Sequence, residues 1–156
     1  MLVLQSLATA VSQEPVRWQA YANEAYDYAV AVPLGMFQIE ETPGGLTLLE
    51  SEGRGQIDVY GARNTAGYSV SEFARVVASA DRIREVTYRR SGRNWLVLSG
   101  YYNRDDASDD LIFYAKFMFS PEGDRLSAFE ASYPVSDKVR YDALIERMED
   151  SLTSPD

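Results

Sequence analysis

The chain has 156 residues, 46% of them hydrophobic and 12% aromatic, which is ample for one packed domain. Fifteen basic against 24 acidic residues leave a net charge of −9, so the field of the whole chain opposes nonspecific binding to nucleic acid and to anionic lipid. Cysteine and histidine are both absent, which excludes thiolate nucleophiles, disulfides, imidazole bases and the common zinc sites from this chain.

The first 16 residues open on an apolar run, Met1 to Leu7, followed by Ala8-Thr9-Ala10, the small-x-small pattern of a signal-peptidase site. They are expected to be the last part of a signal peptide, or else a disordered arm. Export to the periplasm or secretion follows from the first alternative, a cytoplasmic location from the second. No stretch reaches the ~20 consecutive apolar residues that a membrane-spanning helix requires.

Residues 17–21 and 28–32 are expected as a pair of strands around Asn23-Glu24-Ala25, the second ended by Pro33. Residues 33–45, rich in Pro and Gly, read as a long irregular connection. Residues 46–50 and 56–61 form a hairpin around Ser51-Glu52-Gly53. Ser69 and Glu72 have the spacing of a capping box, and the helix that follows turns Phe73, Val76, Val77, Ala80 and Ile83 toward the sheet. Residues 85–90 and 95–102 are strands, and an acidic loop covers residues 103–110.

Two long strands joined by a turn through Pro121, Gly123 and Asp124 come next, spanning residues 111–134. With Phe117 opposite Phe129, the residues Phe113, Ala115, Phe117, Phe129, Ala131 and Tyr133 share one face. That register sets Lys116 opposite Glu130 as a structural cross-strand ion pair, with a catalytic acid and base as the alternative. A second helix opens at Ser136 or Asp137 and carries the apolar stripe Tyr141, Leu144, Ile145, Met148 and Leu152. Residues 17–152 form a single domain and 153–156 a polar tail. The order of elements predicts an α+β fold, a mainly antiparallel sheet of six to eight strands flanked by two helices.

The segments Asn23-x-x-Tyr26-x-Tyr28-x-Val30-x-Val32-Pro33, Val86-Thr87-Tyr88, Trp95-x-Val97-x-Ser99-Gly100, Phe113-Tyr114-x-Lys116, Phe129-Glu130-x-x-Tyr133-Pro134 and Tyr141-Asp142 resemble small exported bacterial proteins whose layout is similar to the PsbP-like fold. The resemblance runs from Arg17 to Leu152 and implies an αβα sandwich. PsbP-like proteins are docking and assembly factors, and the resemblance brings no catalytic motif to carry over. The expectation for this chain is a non-catalytic exported binding domain with a protein partner in the cell envelope and no cofactor.

Four sets of residues are candidates for function. Asp58 and Glu130 are carboxylates on strands, with Tyr60, Tyr101 and Tyr114 as neighbours in a binding surface that also takes in Lys116. The excess of tyrosine, 11 in all, suits a flat surface for a protein or a glycan. Arginines crowd one segment, Arg82, Arg84, Arg89, Arg90 and Arg93, and the last three make an anion patch. Asn103, Asp105, Asp106, Asp109 and Asp110 offer oxygen ligands for calcium without matching the EF-hand pattern. A non-catalytic binding domain and a small carboxylate hydrolase or ligand-binding domain are therefore both open. A deep pocket joining Asp58, Tyr114 and Glu130 would mark the second.

Overall fold

A computed structural model describes residues 16–103 and 109–156. Strands β1 (Arg17–Asn23) and β2 (Tyr28–Leu34) form a two-stranded antiparallel ribbon. The main sheet has seven strands: β3 (Phe37–Thr42), β4 (Gly45–Glu50), β5 (Gln56–Arg63), β6 (Ile83–Ser91), β7 (Trp95–Tyr102), β8 (Leu111–Phe119) and β9 (Arg125–Pro134). Their order across the sheet is β3-β4-β5-β9-β8-β7-β6, and every pairing is antiparallel. Helix α1 (Val70–Ala78) lies on one face, and α2 (Lys138–Ser151) with the β1-β2 ribbon lies on the other. The α+β sandwich expected from the sequence is the architecture observed.

Two hydrophobic clusters follow from this layering. Under α1, Phe73 packs edge-on against Phe117 and Phe119, with ring centroids at 4.9 and 5.3 Å, and Ala74 faces Leu96, Leu98 and Ala128 in the same cluster. Under α2, the whole expected stripe of Tyr141, Leu144, Ile145, Met148 and Leu152 is buried with Val30, Val32, Ile57, Phe129 and Tyr133. Helix α1 has the expected capping box at Ser69 and Glu72. Its inward face is Val70, Phe73, Ala74 and Val77, whereas Val76 is exposed and Ile83 begins β6.

The connection at residues 33–45 is ordered as a strand. Pro33 sits inside β2 opposite Trp18, and Phe37 to Thr42 pair with β4 as an edge strand. An edge strand tolerates the polar run Glu40-Glu41 because one side of it meets water. Residues 153–156 are held along β2 and β9. The Thr153 amide donates to the Ala29 carbonyl at 3.0 Å, and Ser127 Oγ donates to the Thr153 carbonyl at 2.6 Å.

The register of the central hairpin differs from the expectation by one residue. Phe117 stands opposite Ala128, Lys116 opposite Phe129, and Ala115 opposite Glu130. The turn sets this: the Ser120 amide donates to the Arg125 carbonyl at 2.9 Å, enclosing four residues, and Gly123 takes φ 76°. A slip of one exchanges the faces, so Phe117 and Phe129 point to opposite sides and Lys116 and Glu130 never meet.

Candidate functional site

Pairing of β5 with β9 brings together the two carboxylates. Asp58 and Glu130 are cross-strand partners on the α1 side of the sheet, with Tyr60 opposite Ala128 one step along the same face. This face is not apolar beyond the helix. Gln38, Glu40, Thr42, Thr47, Leu49, Gln56, Asp58, Tyr60 and Glu130 are partly or fully exposed, while Leu46, Leu48, Ile57, Val59 and Phe129 on the opposite face are buried. Helix α1 covers the β6-β7 end and leaves the β3-β4-β5 end open.

Asp58 is held by neutral donors. Thr47 Oγ1 donates to Oδ1 at 2.8 Å, and Gln56 Nε2 reaches Oδ1 and Oδ2 at 3.2 and 3.0 Å. Glu130 has a cation as well as a neutral donor: the Tyr60 hydroxyl donates a hydrogen bond to its carboxylate, and Arg82 Nη2 lies 3.5 Å from Oε1, with the Glu130 side chain 19% exposed and Arg82 61% exposed. The same guanidinium stands over the Tyr102 ring, 5.3 Å from its centroid. Burial pushes the Glu130 carboxyl above its ordinary range; Arg82 opposes that shift and the charge of Asp58 adds to it. Burial and the neighbouring Glu130 raise the Tyr60 hydroxyl well above the ordinary tyrosine value.

The other named residues lie elsewhere. Tyr101, Tyr114 and Lys116 are on the α2 side, so the five residues Tyr60, Tyr101, Tyr114, Lys116 and Glu130 do not share a surface. Tyr114 donates its hydroxyl to Glu149 Oε2 at 2.7 Å, and burial raises its pKa most. Lys116 Nζ donates to the Glu149 carbonyl at 3.0 Å. A pocket joining Asp58, Tyr114 and Glu130 is thereby ruled out, since the sheet itself separates Tyr114 from the two carboxylates.

The anion patch is also divided. Arg89 pairs with Leu98 and Arg90 with Val97, placing them on opposite faces of the β6 edge. Arg93 lines a cavity of about 750 Å³ between the start of α1 and the β8-β9 turn, where Glu72, Glu122 and Asp124 line it as well. Of the acidic loop, Asp105 and Asp106 lie outside the described residues. Asp110 Oδ1 accepts from Arg84 Nη1 at 3.1 Å. Among the described residues no group of three acidic side chains is placed to hold a metal ion.

Sequence reasoning singled out Asp58, Tyr60 and Glu130 but missed their neighbours Thr47, Gln56 and Tyr102, and it set Arg82 among surface arginines. The period-two spacing of Gln56, Asp58 and Tyr60 was the available signal, since it puts all three on one face.

No family model matches the chain, and no curated protein sequence does. Solved structures with the same fold were found. The Ran-binding protein Mog1p of Saccharomyces cerevisiae superposes with a TM-score of 0.63 at 9% identity, over 91% of this chain and 97% of that one. Cyanobacterial PsbP (CyanoP) of Synechocystis sp. PCC 6803 superposes with a TM-score of 0.58 at 12% identity, over 95% of this chain and 98% of that one. At these identities the likeness establishes a PsbP- and Mog1-like fold.

Proposed function

We propose that this chain is a non-catalytic adaptor domain that docks a protein partner on the open α1-side face of β3, β4, β5 and β9. The observation that carries the reading is the Asp58-Glu130 platform, a pair of carboxylates at the centre of the seven-stranded sheet and outside the cover of either helix. A flat polar face with charge and tyrosine suits recognition by a protein, and a small-molecule site is built differently, as an enclosed and largely apolar cavity. The fold neighbour from yeast is named for binding Ran, which supports a partner-binding use of this architecture without assigning its partner here. We also propose export to the cell envelope, on the apolar run Met1 to Leu7 followed by Ala8-Thr9-Ala10.

The test is in-cell crosslinking and affinity capture of the tagged full-length chain from its native host, with mass spectrometry of the bound proteins and of the mature N-terminus. A stoichiometric envelope partner is expected, lost with Glu40→Lys on the open face and retained with Glu146→Lys on the outer side of α2. Recovery of the chain alone, or equal capture by both variants, would overturn the docking face. An intact Met1 in the cytoplasmic fraction would overturn export.

A further inference from the structure

The open face carries an imbalance of charge at one point. Asp58 is satisfied by Thr47 and Gln56, which are neutral, so its charge is solvated but not cancelled. Glu130 and Asp58 together present two carboxylates, and Arg82 is the one cation in contact with Glu130 among the described residues.

The Arg82 contact is an unoptimised one. A charge-assisted guanidinium-carboxylate pair closes to about 2.8 Å and is often bidentate, whereas Arg82 makes a single approach at 3.5 Å and keeps 61% of its side chain in water. Its guanidinium nevertheless has the aromatic support that arginine selects, the face of Tyr102 at 5.3 Å. The seat is thus shaped for a planar cation and only loosely filled by the chain's own.

From this we infer that the Asp58-Glu130-Tyr102 cluster is the seat for an arginine presented by a basic segment of the partner protein, and that Arg82 occupies this seat as a placeholder in the free protein. The inference rests on the docking reading above and names the chemistry of the partner. Arginine fits better than lysine because its planar fork brings several donors to the Glu130 carboxylate, which also accepts from the Tyr60 hydroxyl, while its plane lies on the Tyr102 ring. The net charge of −9 draws a basic segment toward the molecule from a distance, and the local excess of one carboxylate among the described residues holds it there. Arrival of the partner's guanidinium displaces Arg82 into solvent, where most of it already lies.

The experiment is an NMR titration of the full chain with N-acetyl-arginine methylamide and, as the uncharged isostere, the citrulline analogue. Saturable shifts confined to the amides around Asp58, Tyr60, Tyr102 and Glu130 are expected with the arginine probe alone. Arg82→Ala is expected to tighten that binding at least threefold, because it removes the competitor. Glu130→Gln is expected to weaken it more than tenfold, with Asp58→Asn as a second variant should the first fold poorly.

Equal shifts with citrulline, no shifts in either wild type or Arg82→Ala, or weaker binding by Arg82→Ala would each reject the seat. The two readings also fail separately. A partner captured equally well by wild type and Glu130→Gln would reject the seat and leave the adaptor role. Arginine binding at the cluster in a chain that captures no partner would reject the adaptor role.

Discussion

The ammonium of Lys116 sits beneath the last turns of α2 and donates to the Glu149 carbonyl at 3.0 Å, 4.0 Å from the Glu149 carboxylate. Helix α2 has no basic residue in its own last turn, so a strand across the core supplies the cation that a helix C-terminus favours. With Tyr114 donating to the same glutamate, the pair fixes the end of α2 on the sheet.

Lys116→Met keeps the apolar stem and removes the charge and the donor. A loss of about 1.5 to 3 kcal/mol in urea unfolding is expected, as for a hydrogen bond to a charged group. Fraying of residues 148–151, read by amide exchange, should accompany it. An unchanged unfolding midpoint would show that the contact contributes nothing net.

Stability should depend on pH through Glu130. Its carboxyl is raised in the folded protein, mainly by burial, so between its unfolded and folded pKa values the folded state holds more protons. The contribution of this group therefore falls as pH rises through that window and stays low above it. Glu130→Gln, which cannot ionise, is expected to raise the thermal midpoint relative to wild type at pH 7. The difference should vanish as the pH is lowered below the ordinary carboxylate range. A constant difference across pH 4 to 8 would refute this account.

Asn64 is 9% exposed and ties three segments together. Its Nδ2 donates to the Tyr68 and Gly123 carbonyls, both at 2.8 Å, and its Oδ1 accepts from the Tyr68 amide at 3.1 Å. Asn64→Ala leaves these groups without partners in a tight corner, and a cost of about 2 to 3 kcal/mol is expected in chemical denaturation. The same variant should loosen the β8-β9 turn, visible as faster amide exchange at Gly123 and Asp124.

Glu50 has a side chain only 7% exposed, next to Arg140 at 2.5 Å. It also accepts from the Tyr141 hydroxyl at 3.0 Å and the Gly55 amide at 3.1 Å. Glu50→Ala strands the Tyr141 hydroxyl in the core, and roughly 2 to 4 kcal/mol should be lost. Tyr141→Phe should lose only about 1 kcal/mol, because Glu50 keeps its other two donors. Equal losses in the two variants would show that the hydroxyl, and not the carboxylate, organises this corner.

Legibility in the sequence followed the number of faces each element buries. Helix α2 buries one stripe, so Tyr141, Leu144, Ile145, Met148 and Leu152 announced it. The arms of β8 and β9 bury both faces, one under α1 and one under α2, so alternation could locate the strands without choosing between registers that differ by one residue. The turn geometry at Ser120 to Arg125 made that choice. Strand β3 was hidden by its edge position, where Gln38, Glu40 and Glu41 need not be apolar. Asp58 and Glu130 were each visible as strand carboxylates, but their meeting depends on the pairing of β5 with β9, which no local pattern encodes. The split of Tyr101 and Tyr114 from Tyr60 came from the same source, since face membership follows register.

That same β5-β9 pairing has a consequence for how the chain is made. Gln56 waits for Ser132, and Arg63 for Arg125, so during vectorial synthesis the β3-β4-β5 meander emerges with one long side unbonded. It stays so until more than half of the remaining chain has followed. Contacts this distant in sequence slow folding and leave a strand edge open to other molecules. The seam at the middle of the finished sheet thus cannot begin to close until Arg125 has followed, and the strand edge that waits for it is the one a chaperone would shield.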